Sequence, residues 1–231
     1  MKIVTLLSGG MDSTTLLFYL AKTYPNAEIT ALGFDYGQRH RIRELCAANE
    51  VADLARRRFN GRVTFSIIDL TSVTNLLSGS SLTDQTIDVP EGHYADETMK
   101  ATVVPNRNMM MLSIAGAVAV AQKVEILAFG AHAGDHPIYP DCRPIFVDVM
   151  NATIRIGNEG FHHPSFNILA PFVMMSKADI VTVATNFANA PLDLSWSCYK
   201  GGEKHCGKCG TCVERREAFE LAGVVDPTEY E

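Results

Sequence analysis

A doubly wound parallel α/β sheet is the fold class that this sequence predicts, and three observations carry the expectation. Short, β-branched apolar runs of strand length alternate with longer stretches whose apolar residues recur at helical spacing. A Ser-Gly-Gly turn joins the first such run to the first helix, at residues 8–10. With 231 residues, 47% of them apolar and 20% charged, the chain can build one sizeable core and a small appended module. Strands separated by helices of this length pair in parallel through right-handed crossovers, and such sheets bind ligands beyond the carboxyl ends of their strands.

Residues 2–7 read as the first strand, and from Asp12 the positions Leu16, Leu17, Leu20 and Ala21 mark one face of a helix. The intervening Ser8-Gly9-Gly10-Met11-Asp12-Ser13 suits a phosphate or pyrophosphate. Two residues without a Cβ let the backbone turn its N–H groups inward, and the helix adds its positive dipole end. Ser8, Ser13, Thr14 and Thr15 supply neutral donors, whereas Asp12 is an acid where an anion should bind. A Mg2+ ion bridging carboxylate and phosphates reconciles the two. The string lacks the Lys-Ser/Thr pair of a Walker loop.

Residues 27–34 are expected to form the second strand, 41–59 a helix with Ile42, Leu45, Val51, Leu54 and Ala55 inward, and 63–68 the third strand. Between the first two of these, Tyr36, Gln38, Arg39 and His40 combine polar, aromatic and cationic character. They would face the same crevice as the first loop, or form a solvated turn. Periodicity fades over 71–101, which is expected to be mobile.

The run 104–108 leads into an apolar helix over 109–121, expected to be buried on nearly all sides, and Arg107 at its head requires an anionic partner. A fourth strand over 125–129 opens into the polar loop 130–143. His132, His136 and Asp135 there lack the one-face spacing of a zinc protease. Tyr139, Asp141 and Arg143 better suit a flat polar heterocycle with a charged substituent. A helix over 144–156, a fifth strand over 166–170, and a helix opened by the pair Ser176 and Asp179 complete this part.

Four of six cysteines crowd the C-terminal segment as Cys198-x7-Cys206-x2-Cys209-x2-Cys212. Four thiolates at this spacing suit tetrahedral Zn2+, with an iron–sulfur cluster as the alternative for the same ligands, and a closed site of this kind is structural by default. Thr211 and Glu214 match a capping box for the last helix. The expected organisation is therefore a nucleotide-binding α/β domain over 1–190 and a four-cysteine zinc-binding extension over 191–231. A net charge of −6 argues against holding nucleic acid by bulk electrostatics. Residues 1–7 are too short and too lightly charged for a signal peptide, and a cytoplasmic location is expected.

At the string SGGMDS the chain resembles the PP-loop ATP pyrophosphatase superfamily, whose members cleave ATP between its α and β phosphates and adenylate a substrate. Four further strings narrow the resemblance to the 7-cyano-7-deazaguanine synthase family: FDYGQRH at 34–40, VPNRN at 104–108, YPDCR at 139–143 and CGKCGTCVERREAF at 206–219. Two departures are Asn106, where that family is expected to carry Gly, and residues 131–138, which differ from the more familiar acidic version of that loop.

The resemblance implies an adenine nucleotide alpha hydrolase-like fold and an ATP-dependent ligase that makes 7-cyano-7-deazaguanine from 7-carboxy-7-deazaguanine and ammonia. It implies ATP and Mg2+ at Leu7, Ser8, Gly9, Gly10, Met11, Asp12, Ser13, Thr14 and Thr15, with Asp12, Ser13 and Arg107 catalytic. Substrate contacts fall to Tyr36, Gln38, Arg39, His40, Asn108, Tyr139, Asp141 and Arg143, Zn2+ to the four cysteines, and the assembly is a homodimer. The alternatives are another adenylating enzyme of the superfamily, such as a transfer-RNA thiolase using Cys46 or Cys142, and a non-enzymatic zinc module.

Overall fold

A computed structural model of the chain describes residues 1–74, 76, 79–93 and 97–231. Strand β1 (Lys2–Leu6) is buried at Ile3, Val4 and Thr5 in succession, so both its faces are covered, as in the middle of a parallel sheet. It pairs in parallel with β2 (Glu28–Asp35) on one side and β4 (Ile126–Ala128) on the other, Ile3 standing opposite Ile29 and Ile126. With β3 (Val63–Asp69) and β5 (Asn167–Leu169) the sheet runs β3-β2-β1-β4-β5, all parallel. The expected doubly wound α/β fold is the one observed.

Helices cover both faces. The helices α1 (Met11–Thr23), α2 (Arg41–Arg58) and α6 (Lys177–Thr182) share one core through Leu16, Leu17, Leu20, Val51 and Ile180. A π-helical turn, Val183–Ala188, continues α6. On the other face α4 (Arg107–Ala121) and α5 (Pro144–Gly157) pack through Leu112, Ala115, Val147 and Ile154. Gly116 lets them approach closely, since a Cβ there would lie 2.8 Å from Ile154 Cδ1. The small α3 (Thr71–Thr74) follows β3, and α7 (Gly210–Ala222) closes the chain against α1 and α6 through Met11, Val181, Ala218 and Phe219.

Four expectations need correcting. Ile42, expected on the inward side of α2, is 71% exposed. Helix α4 begins at Arg107, two residues early, and is not buried all round: Met109, Ser113 and Ala117, at four-residue spacing, face out. It lies outside one face of the sheet, so one of its sides meets solvent. The capping box at the last helix does not form. The N-cap is Cys209, Thr211 Oγ1 donates to Ser197 O at 2.7 Å, and Glu214 Oε2 turns to Lys177 Nζ at 3.2 Å. By contrast, Ser176 and Asp179 form the expected reciprocal cap.

The mobility expected over 71–101 falls in part on residues 75, 77, 78 and 94–96, outside those described. Elsewhere in that stretch Ser80, Ser81, Leu82 and Val89 are buried, and Glu91 forms an isolated bridge with Cys209. No helix among the described residues is long and apolar enough to cross a membrane.

The chain winds outward from β1 through β2 to β3, then crosses back to β4 on the far side of β1. The loops leaving β1 and β4 therefore diverge, and the crevice between them is the expected binding position of such a sheet.

Candidate active site

One cavity of about 210 Å3 opens in that crevice. Its floor is the loop after β1: Ser8, Gly10, Met11, Asp12 and Ser13 all line it. Gly9 has φ +86°, and a Cβ there would lie 2.5 Å from Glu44 O and 2.6 Å from Ala48 N. Only glycine lets the loop press against α2 and curl beneath the cavity. The Ser8 and Ser13 hydroxyls lie 3.0 Å apart, and Ser13 Oγ donates to Gly10 O at 3.2 Å. These bonds fix the turn, and the first N–H groups of α1, which have no intrahelical acceptor, open toward an anion.

Above the loop stands a cluster of charges. Lys177, the first residue of α6, places Nζ 2.7 Å from Asp12 Oδ2, 3.2 Å from Glu214 Oε2 and 3.0 Å from His132 Nε2. Burial alone would push this lysine down, but Asp12, Glu214 and Asp135 reverse that and hold it well above its usual value. Burial likewise raises Asp12, and Lys177 with His132 outweighs it, leaving the carboxyl below its ordinary range. Glu214 goes the other way, because there burial exceeds the help of Lys177 and His132. Asp12 Oδ1 is shielded from solvent with no hydrogen-bond partner among the described residues, an orphan acceptor beside a phosphate-shaped loop. The donor set fits a divalent cation shared between Asp12 and a bound polyphosphate.

Arg107 occupies the opposite wall with a different set of neighbours. Its Nη1 lies 3.4 Å from Tyr36 Oη, and its guanidinium sits 5.6 Å from the centre of the Tyr139 ring. Among the described residues no carboxylate forms an ion pair with it. Tyr36 is pushed up to about 12, burial outweighing the favourable Arg107, so it stays a neutral phenol. His40, Glu44, Asn108, Cys142 and Tyr199 complete this end of the cavity. Asn106, at φ +60°, occupies the left-handed region that Gly or Asn tolerates, which accounts for Asn in a position expected to be Gly.

The expected site residues divide cleanly. Ser8, Gly10, Met11, Asp12, Ser13, Tyr36, His40, Arg107 and Asn108 meet in the cavity. Leu7 is fully buried behind the loop, and Gly9, Thr14 and Thr15 support it from below, Thr15 Oγ1 donating to Met11 O at 2.8 Å. Gln38 does not line the cavity: its Nε2 donates to Phe34 O at 3.0 Å and to Glu44 Oε2 at 2.7 Å. Arg39 points away and donates to Asp84 O and Ile87 O at 3.0 and 2.8 Å. Tyr139 lies beneath Arg107, Asp141 Oδ2 accepts from Asn108 N at 3.1 Å, and Arg143 is exposed with its Nε on His136 O at 2.9 Å. None of these three lines the cavity itself.

The reading of the sequence missed Glu44, Asp135, Lys177, Trp196, Ser197, Tyr199 and Glu214, all of which line the cavity. Lys177 hides behind a helix cap and Glu214 behind a false capping box. Only their convergence with Asp12 identifies them.

The four cysteines form a second centre. Cys198, Cys206, Cys209 and Cys212 are all buried, with their sulfurs within 4.8 Å of one another. Backbone N–H groups point at the sulfurs, from Cys206 to Cys198 Sγ at 3.4 Å and from Lys208 and Cys209 to Cys206 Sγ at 3.4 and 3.3 Å. Gly207, at φ +67°, makes that knuckle. Such an arrangement can hold a metal ion with no open coordination position. The module is tied to the loop after β1, because Trp196 N donates to Gly9 O at 2.9 Å.

Comparison with known proteins agrees with this geometry. A family model described as queuosine biosynthesis protein QueC matches residues 2–223. A protein of Allorhizobium ampelinum named 7-cyano-7-deazaguanine synthase is 52% identical over 231 residues, spanning 100% of this chain and 93% of its own. A protein of Brucella anthropi with the same name is 52% identical over 232 residues, spanning 100% and 94%. Among solved structures, NMN synthetase from Francisella tularensis superposes with a TM-score of 0.51 at 15% identity, over 96% of this chain and 77% of that one, a likeness of fold alone. The chain belongs to the QueC family, that of the 7-cyano-7-deazaguanine synthases.

Proposed function

From that membership and the two-walled cavity, we propose that the chain is an ATP-dependent carbon–nitrogen ligase that converts 7-carboxy-7-deazaguanine and ammonia to 7-cyano-7-deazaguanine. The observation that carries the reading is one cavity with a pyrophosphate-shaped loop on its floor and, on its wall, the Arg107 guanidinium, which forms no ion pair among the described residues. A carboxylate repels nucleophiles and has no leaving group, so its oxygen first attacks the α-phosphate of ATP, releasing pyrophosphate and forming an acyl adenylate. Ammonia adds to the carbonyl, AMP leaves, and a proton is lost to give the amide. The amide oxygen then attacks a second ATP, pyrophosphate leaves again, and loss of AMP with the remaining N–H protons gives the nitrile. Both carboxylate oxygens depart on AMP.

In this reading Ser8, Gly10 and Ser13 cradle the phosphates, Lys177 holds Asp12 in place, and Asp12 would hold Mg2+ through its other carboxylate oxygen, Oδ1. A bound Mg2+ would neutralise charge developing on the departing pyrophosphate. Arg107 holds the substrate carboxylate, and catalysis is chiefly positioning and charge stabilisation. The cysteine centre takes Zn2+ and serves as a strut, since Trp196 and Glu214 reach the cavity from either side of it. The reading extends to a cytoplasmic homodimer, supported by the exposed apolar positions Ile145, Val149 and Ile156 along one side of α5. A sulfur-carrying role for Cys142 finds no support: burial, Asp135 and Asp141 raise its thiol far above the range of a useful nucleophile.

The test is mass spectrometry of the protein with ATP, Mg2+, ammonium and 7-carboxy-7-deazaguanine labelled with 18O in its carboxyl group. Nitrile accompanied by AMP carrying 18O is expected. Nitrile with unlabelled AMP would overturn the adenylation route, and absence of both products would overturn the function.

A further inference from the structure

At the Arg107 end the cavity also holds a carboxylate that the reaction above does not use. Glu44, in the first turn of α2, lines the cavity with its side chain 14% exposed. Gln38 Nε2 donates to Glu44 Oε2 at 2.7 Å, and His40 Nε2 stands 3.5 Å from the same oxygen. Gln38 is itself pinned, since its Oε1 accepts from Tyr36 N at 3.0 Å and its Nε2 also donates to Phe34 O at 3.0 Å. These contacts orient the carboxylate through Oε2, which can accept a further hydrogen bond, and they leave Oε1 for a ligand.

Arg107 lines the same cavity, yet among the described residues the two opposite charges form no ion pair. Free side chains of opposite charge attract strongly in a site shielded from water. Here Tyr36 and Tyr139 hold the guanidinium while Gln38 and His40 hold the carboxylate. A cation and an anion kept apart in one cavity suit a ligand that is anionic at one end and donates hydrogen bonds at the other.

This inference rests on the proposed substrate, which is such a molecule. 7-Carboxy-7-deazaguanine carries its carboxylate on the five-membered ring, while on the six-membered ring a ring N–H and the 2-amino group present two adjacent donors. Two parallel donors match the two oxygens of a carboxylate. The pairing edge of adenine offers one donor beside one acceptor, so Glu44 suits the heterocycle better than it suits ATP. The geometry points to Glu44 as the specificity-determining residue that reads the aminopyrimidinone edge, with Arg107 taking the carboxylate end.

The experiment compares kcat/KM for 7-carboxy-7-deazaguanine and for its analogue lacking the 2-amino group, in the wild-type protein and in Glu44→Gln. A site built to accept a hydrogen bond rejects an analogue without the donor, so the wild type should prefer the natural heterocycle by about 100-fold or more. Glu44→Gln should raise KM for that heterocycle by a similar factor, erase the preference, and leave KM for ATP within about twofold. A shift confined to KM for ATP, or a preference that survives the substitution, overturns the assignment. So does equal use of both heterocycles by the wild type, which needs no variant to fold. If the wild type converts neither, the proposed function fails and takes this inference with it; if it converts both equally, only this inference falls.

Discussion

Two cations face the same cavity, and their surroundings differ in kind. Lys177 has Asp12 at 2.7 Å and Glu214 at 3.2 Å, so its charge is balanced within the protein. Arg107 has phenols and, among the described residues, no carboxylate. The difference teaches that a charged group near a site can be part of the scaffold or an empty socket, and that its partners tell which. Lys177 braces the carboxylates over the phosphate loop, whereas Arg107 carries an unbalanced charge that an anionic ligand would complete.

Removing Lys177 should have the largest effect on the protein itself. Lys177→Met strands Asp12 and Glu214 as shielded carboxylates, and urea unfolding at pH 7.5 should show a loss of about 3 kcal/mol. The loss should shrink toward pH 5, because Glu214, already raised by burial, takes up a proton more readily once its cation is gone. A loss that does not depend on pH would mean that Lys177 contributes packing rather than charge balance.

Arg107→Met should separate stability from activity. With no ion pair to break, stability should change by no more than about 1 kcal/mol in either direction. KM for the carboxylated heterocycle should rise by about 100-fold, as expected when a charged hydrogen bond to substrate is lost. A destabilisation as large as that of Lys177→Met would erase the contrast between the two cations.

The smallest expected effect concerns His40, at the Arg107 end. Burial holds it below its ordinary value, outweighing Glu44, while Arg107 also disfavours its charge. The folded chain therefore refuses a proton that the unfolded chain accepts near pH 6.5. Stability is fully present above that pH and is lost as pH falls below it. His40→Gln should flatten part of this decline in urea unfolding between pH 7.5 and 5.5. His205, lowered to about 4 chiefly by burial, supplies a decline of the same sign that remains. An unchanged pH slope would place the whole effect on other groups.

The reading of the sequence came close to the observed elements where short-range chemistry dictates them. The Ser-Gly-Gly turn, the Ser176–Asp179 cap and the Cys-x2-Cys steps each specify a local geometry that their own few residues enforce. It erred where one local pattern admitted two uses. Thr211 and Glu214 have the spacing of a capping box, but Cys209 is the N-cap, which freed Glu214 to cross to Lys177. Gln38, Tyr139 and Asp141 suit substrate contact by type and position, and in the structure they also fasten Glu44, Arg107 and Asn108.

The sequence by itself determined the parallel sheet, the Ser-Gly-Gly turn after β1 and the clustered thiols, because each follows from periodicity or from spacing within fifteen residues. Only the tertiary structure decided which charges balance one another. Asp12 and Lys177 stand 165 positions apart, and they meet because β1 and β4 lie side by side, so that the loops at their carboxyl ends and the helix after β5 converge on one crevice.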